Sequence, residues 1–113
     1  MIDRVALRLR DIQQAITDIR MLLQGRSLDD LVGDRISRAA FERFLEVISE
    51  ASRHIPESEK ARHDHMPWRQ IADMGNHLRH AYHQVDPGIL WDVYVHELDQ
   101  LEEAVQAMLR ARL

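Results

Sequence analysis

The chain begins MIDRVALRLRDIQQAITDIRMLL (residues 1–23), in which apolar residues recur every three or four positions. These apolar residues are Ile2, Val5, Leu9, Ile12, Ile16, Ile19 and Leu23. Such spacing places one apolar stripe along a helix that has about 3.6 residues per turn. The stretch therefore predicts a long amphipathic helix that buries this stripe and ends near Gly25, because glycine commonly terminates helices.

Three more apolar stripes with helical spacing follow, at residues 36–55, 68–85 and 90–108. The first of them opens with Ile36, which the pattern assigns to the buried face. Between the first long helix and this stripe, Ser27 and Asp30 have the spacing of a capping box, in which each residue caps the other's backbone N–H. We therefore expect four main helices and one extra short helix.

The connections are marked by proline. Residues 56–67, PESEKARHDHMP, are polar and lack apolar periodicity, so they are predicted to form a mobile loop. Asp86 and Pro87 have the residue types of an N-cap and a first helical position. Since no segment alternates apolar and polar residues as a strand does, the sequence predicts an all-α, up-and-down four-helix bundle, with residues 1–113 forming one domain.

The composition narrows the functional classes. The chain has 113 residues, a formal net charge of −4 and no cysteine. A strongly basic nucleic-acid binder is disfavoured, although a local basic patch remains compatible with this charge. Disulfides and thiolate metal sites are excluded because both need cysteine. No segment has the length and apolar character of a signal peptide or a membrane span, so we expect a soluble cytoplasmic protein that does not enter membranes.

The stretch MGNHLRHAYHQVD (residues 74–86) holds three of the seven histidines of the chain. On a helical wheel of about 100° per residue, Leu78 and Tyr82 lie on the apolar side. The polar side carries Arg69, Asp73, Asn76, His80 and His83, and Arg79 lies on its flank. His80 should therefore point away from the core of its own subunit, which leaves a solvated polar face or a functional site.

Three kinds of chemistry fit this face. A metal ion could bind His80 with His83 or Asn76, with further ligands from His63 and His65, but this pattern is weak. Arginines and histidines could instead bind a nucleotide or phosphate. The third possibility is acid–base cleavage of RNA, in which a neutral histidine takes a proton from a 2′-hydroxyl and arginine stabilises charge on the phosphate. Composition and periodicity do not choose between the last two.

The motif resembles the signature of HEPN domains, and in particular of their HepT-like branch, which commonly reads MRN-L-H-Y--VD. The matching residues here are Met74, Asn76, Leu78, His80, Tyr82, Val85 and Asp86. FLEVISEAS (44–52) is similar to the family's LEIIGEAA helix, and PW-QI (67–71) to its PW--I lead-in. The dipeptide LW (90–91) follows at the expected distance, so the resemblance covers roughly residues 5–109.

This resemblance implies an all-α homodimer in which the motifs of two subunits face one cleft. It implies a metal-independent, cofactor-free endoribonuclease, usually the toxin of a toxin–antitoxin pair whose antitoxin is a small nucleotidyltransferase. His80 would be the catalytic acid or base, Asn76 the polar motif residue, and Tyr82 a site of modification by AMP. We add Arg79 as a further catalytic residue, and Arg69 and His83 as substrate-binding residues. Together with His80, Asn76 and Tyr82, they form the candidate site.

Gly75 departs from the family pattern, because the motif arginine falls at this position. Two interpretations follow. Arg79 takes over the phosphate contact, with reach toward the histidine of the other subunit, or the nuclease is lost and the chain binds a nucleotidyltransferase partner or a nucleotide without cleaving RNA. We favour the first, because LRHAY keeps the rest of the motif and places an arginine at its centre.

Overall fold

The computed structural model describes residues 2–81 and 85–113, and within these residues it is helical with no strand. The helices are α1 (Arg4–Leu23), α2 (Leu28–Gly33), α3 (Arg35–Ser52), α4 (Glu57–Lys60), α5 (Trp68–Ala81), α6 (Pro87–His96) and α7 (Leu98–Arg110). A 3₁₀ turn, Ala61–His63, follows α4. The predicted all-α fold is confirmed.

The long helices pack side by side in the order α7, α1, α3, α5. The first apolar stripe faces inward as predicted, since Leu9, Ile12 and Ile16 have no exposed surface. Phe41 of α3 and Val105 of α7 complete the centre of this core and are equally buried. The short helices α2 and α6 contact each other, and α6 also contacts α7. Helix α5, which carries the histidine motif, therefore packs along α3.

The helix ends follow the residues that the sequence suggested. α1 stops just before Gly25, whose positive φ of 75° is a backbone conformation that glycine adopts without strain. The capping box at α2 is present, because Ser27 Oγ accepts from the Asp30 N–H at 3.1 Å and Asp30 accepts from the Ser27 N–H at 2.9 Å. Asp86 caps α6 through the Gly88 N–H, with Pro87 in the first turn.

The prediction of a mobile loop at residues 56–67 was wrong over much of its length. This segment forms α4 and the 3₁₀ turn and is fixed to the bundle by polar contacts. Arg112 binds Glu59 with both terminal nitrogens, and the Trp68 indole N–H donates to the His63 carbonyl at 3.0 Å. Because charged and backbone groups make these contacts, the segment shows no apolar periodicity that could have revealed its order.

Two further details differ from the apolar pattern. The last stripe is divided into α6 and α7 by a turn at Glu97 rather than forming one helix. Ile36 is 80% exposed instead of buried, whereas Phe41 and Leu45 form the inner face of α3. On a helix, Ile36 lies about 140° around the axis from Phe41, so the two side chains cannot share one face.

Asp34 is expected to stabilise the start of α3 in a pH-dependent way. Its carboxylate accepts from the Ser37 hydroxyl at 2.7 Å and N–H at 3.1 Å, and from Arg26 at 3.0 Å. These bonds, those from Ser37 above all, hold the pKa of Asp34 well below the usual aspartate range. The pKa of the Asp34 carboxyl is thus lower in the folded state than in the unfolded state, so ionised Asp34 stabilises the fold at pH values above the ordinary aspartate pKa. This stabilisation is lost as the pH falls toward the lower pKa of the folded state.

We expect Asp34→Ala to lower the Tm by roughly 4–10 °C near neutral pH, as loss of a helix cap does. The difference from the unmodified chain should shrink between about pH 5 and pH 2. Thermal unfolding followed by circular dichroism measures both effects, with Asp92→Ala on the exposed face of α6 as control. A Tm difference independent of pH would contradict the role of the carboxylate.

Candidate functional site

The histidine motif begins on α5, which turns its polar residues to solvent and its apolar residues to the core. The exposed residues of this helix include Arg69, Asp73, Asn76, Arg79 and His80. Ile71, Gly75 and Leu78 are buried. The expectation that His80 faces away from the core of its own subunit is confirmed, so its imidazole is available to a ligand or to a second copy of the chain.

Arg79 folds back along α5 toward the preceding turn. Its Nη2 donates to Asn76 Oδ1 at 2.7 Å. Its Nη1 lies 3.3 Å from the point that a Cβ atom at position 75 would occupy. The guanidinium of the exposed Arg79 therefore lies over Gly75, next to Asn76. A positive charge thus lies beside the position where the motif arginine is missing.

Helix α3 supplies the other rim of this surface. His54 Nε2 lies 3.3 Å from Glu50 Oε1, and Arg53 Nη2 donates to the Ala72 carbonyl of α5 at 2.7 Å. The hydrogen bond from His54, and then the charges of Arg53 and Arg79, lower the pKa of Glu50. The Glu50 carboxyl therefore lies near enough to Arg53 and Arg79 for their positive charges to act on it.

Gly75 is packed against Ser49 of α3. The Gly75 N–H donates to Ser49 Oγ at 3.0 Å, and this hydroxyl donates to the Ala72 carbonyl at 2.8 Å. Ser49 was missed by the sequence reasoning. The sequence does place a polar residue between the core residues Ile48 and Ala51. A buried hydroxyl at a helix interface needs a hydrogen-bond partner, so this position could have been singled out.

The structure does not bring every predicted residue together. Arg69 lies on the same face of α5 as His80 but about 16 Å along the axis, by the rise of 1.5 Å per residue. It borders a shallow depression with Glu57 and Lys60 instead. Tyr82 and His83 lie outside the described residues. Trp68 is buried, as expected for a core aromatic rather than a stacking platform.

Two apolar cavities lie on the other side of α5, away from His80. One, of about 260 Å³, is lined largely by apolar residues of α3, α5, α6 and α7, among them Leu45, Met74 and Leu101. A second, of about 350 Å³, adjoins it at Met74 and reaches His77. Neither includes Asn76, Arg79 or His80, so the groups able to perform proton transfer and bind anions lie on the open surface.

Across residues 2–81 and 85–113, no three histidine, aspartate or glutamate side chains are grouped closely enough to hold a metal ion. The rings of His63 and His65 have centroids 6.2 Å apart. Over the same residues, every helix is too short or too polar to span a bilayer.

Comparison with known proteins places the chain in a family. A chain of Thermococcus cleftensis named "Probable ribonuclease HepT" is 36% identical over 94 residues, which cover 83% of this chain and 86% of that protein. A chain of Caldanaerobacter subterraneus named "Putative RNase" is 35% identical over 88 residues, which cover 78% and 79% of the two chains. No significant match was found among solved structures. Residues 12–108 match the family described as ribonuclease HepT-like, to which this chain therefore belongs.

Proposed function

We propose that this protein is a metal-independent endoribonuclease that cleaves RNA through attack by a 2′-hydroxyl. The observation that carries the proposal is the Arg79 guanidinium held over Gly75 by Asn76, one residue from the exposed His80. It restores an anion-binding group to the part of the motif where glycine has replaced arginine. Membership of a ribonuclease family supports RNA as the substrate.

In the proposed reaction, the neutral imidazole of His80 takes the proton of a 2′-hydroxyl. The 2′-oxygen forms a bond to the adjacent phosphorus, the bond from phosphorus to the 5′-oxygen breaks, and the 5′-oxygen takes up a proton from water. Arg79 stabilises the charge that develops on the phosphoryl oxygens, and Asn76 orients Arg79 by accepting its hydrogen bond. The products are a 2′,3′-cyclic phosphate and a 5′-hydroxyl.

The remaining parts of the proposal concern assembly and regulation. A homodimer brings the exposed motif faces of two α5 helices into one cleft, and Arg69 and His83 contact more distant parts of the RNA strand. The protein acts in the cytoplasm as the toxin of a pair whose antitoxin is a nucleotidyltransferase, and Tyr82 accepts AMP. A neighbouring reading frame that encodes a small nucleotidyltransferase would support this pairing.

The decisive experiment uses protein purified and assayed in excess chelator with a single-stranded RNA oligonucleotide. We expect cleavage that leaves 2′,3′-cyclic phosphate ends, and no cleavage of a matched oligonucleotide with 2′-deoxy sugars, since the attacking hydroxyl is then absent. Cleavage of the deoxy substrate, or activity only after addition of a divalent metal, would contradict the mechanism.

A second candidate function is a non-catalytic module that binds a nucleotidyltransferase or a nucleotide. Gly75 favours it, because glycine supplies no charge or side-chain donor at the position of the motif arginine. The same assay separates the two functions. A folded protein that never cuts the RNA but binds a nucleotide or a nucleotidyltransferase would support the binding module.

A further inference from the structure

Position 75 is closed to every side chain by Ser49. This serine is fully buried, and an added Cβ atom at position 75 would lie 2.5 Å from its Oγ and 2.9 Å from its Cβ. Both distances are shorter than carbon atoms tolerate without a shift of their surroundings. Helix α5 can therefore approach α3 as closely as it does only because residue 75 is glycine.

Ser49 cannot yield this space cheaply. Rotation of its hydroxyl would break the bond to the Ala72 carbonyl and the bond from the Gly75 N–H, which would leave a buried hydroxyl without partners. Its Cβ is fixed to the backbone of α3, so relief of the 2.9 Å contact between the two Cβ positions requires one helix to move. Arg53 also joins α3 to the Ala72 carbonyl, which resists such a movement.

The guanidinium of Arg79 lies on the solvent side of the space that a side chain at position 75 would occupy. Its Nη1 lies 3.3 Å from the Cβ point of position 75, tighter than an ordinary van der Waals contact. A side chain at position 75 would thus meet Ser49 on one side and the Arg79 guanidinium on the other. Gly75 is the condition for both the packed hydroxyl of Ser49 and the present position of Arg79.

We propose that Ser49 is a positioning residue: its contact with Gly75 leaves no room for a side chain at position 75, so that Arg79 supplies the phosphate-binding guanidinium of this protein. The proposal rests on the proposed function, because it assigns RNA phosphate as the ligand of Arg79. The family motifs quoted above fit it. This chain has serine at position 49 and glycine at position 75, where the motifs that it resembles, LEIIGEAA and MRN, have glycine and arginine. In the motifs the glycine of this contact is at position 49 on α3, whereas in this chain it is at position 75 on α5.

The contact is tested first by thermal unfolding of Gly75→Arg, Ser49→Gly and the two combined. Ser52→Gly is the matched control, since Ser52 is equally buried on α3 but donates to the Ser49 carbonyl of its own helix. We expect Gly75→Arg to lower the Tm by roughly 5–20 °C. Ser49→Gly should recover most of this loss, and Ser52→Gly should recover none. An unchanged Tm for Gly75→Arg, or equal recovery by both serine variants, would overturn the proposal.

The transfer of function is tested by Arg79→Ala in two backgrounds, the unmodified chain and the Ser49→Gly/Gly75→Arg variant. We expect cleavage to fall by about 10²–10³-fold in the first and by less than about tenfold in the second, where residue 75 again carries a guanidinium. Equal losses in both backgrounds would overturn the transfer.

Affinity for a 2′-O-methyl RNA oligonucleotide provides a readout that is independent of cleavage. If no form of the protein cuts RNA, the proposed function fails. The inference is still supported if Arg79→Ala lowers the affinity in the unmodified chain but not in the Ser49→Gly/Gly75→Arg variant. If RNA is cut and the Tm values show no coupling between positions 49 and 75, the function stands and the inference fails. A variant Gly75→Arg that does not fold supports the contact when Ser49→Gly restores folding.

Discussion

Replacement of His80 by alanine is expected to lower the rate of RNA cleavage by about 10²–10⁴-fold, the usual contribution of a positioned acid or base. The imidazole is exposed at the end of α5 and contributes nothing to the buried core. The substitution therefore removes the group that accepts the 2′-hydroxyl proton while the fold remains intact. Cleavage is measured on an RNA oligonucleotide with chelator present, and the Tm is measured alongside.

His77→Ala is the matched control for this prediction. His77 is also an exposed histidine of α5, but it lies three residues earlier and borders the apolar cavity at Met74 rather than Arg79. We expect it to retain most of the activity. Full activity in His80→Ala would refute the assigned role, and an equal loss in both variants would indicate that the two substitutions act through the helix rather than through one imidazole.

The fold could be predicted from the sequence wherever burial is carried by apolar residues at regular spacing. The core positions Leu9, Ile12 and Ile16 of α1 follow from a period of about 3.6 residues and are fully buried. The same signal fails at residues 56–67, because ion pairs and backbone bonds hold much of this segment, and the single core residue Met66 creates no apolar periodicity. It fails at Ile36 as well, because this residue fits the spacing of its apolar stripe but lies on the exposed side of α3.

The candidate site shows a similar division between local and long-range information. The exposure of His80 follows from helix geometry and the apolar residues nearby, so the wheel predicted it correctly. The contact of Ser49 with Gly75 joins residues 26 positions apart on two helices, and no periodicity within one helix encodes it. The guanidinium of Arg79 lies beside the same contact, with Nη1 3.3 Å from the point that a Cβ atom at position 75 would occupy.

Arg79 and His80 are expected to serve the same reaction from different subunits. Adjacent residues on a helix point about 100° apart and do not face each other. The guanidinium of Arg79 also lies about one helical turn before His80, over Gly75 and beside Asn76. One subunit therefore presents the base and the cation in diverging directions. In the proposed dimer, the two-fold axis lets the cation of one copy meet the base of the other.

Mixing of two inactive variants tests this arrangement. When His80→Ala and Arg79→Ala proteins exchange subunits at equal concentrations, about half of the dimers contain one of each, and each mixed dimer has one complete site of two. We expect cleavage to rise from near zero to about a quarter of the unmodified activity. The reciprocal control mixes the double variant with unmodified protein, where exchange should lower activity from about half to about a quarter, because every mixed dimer then lacks a complete site. No gain in the first mixture, together with no loss in the second, would mean that Arg79 and His80 act within one subunit.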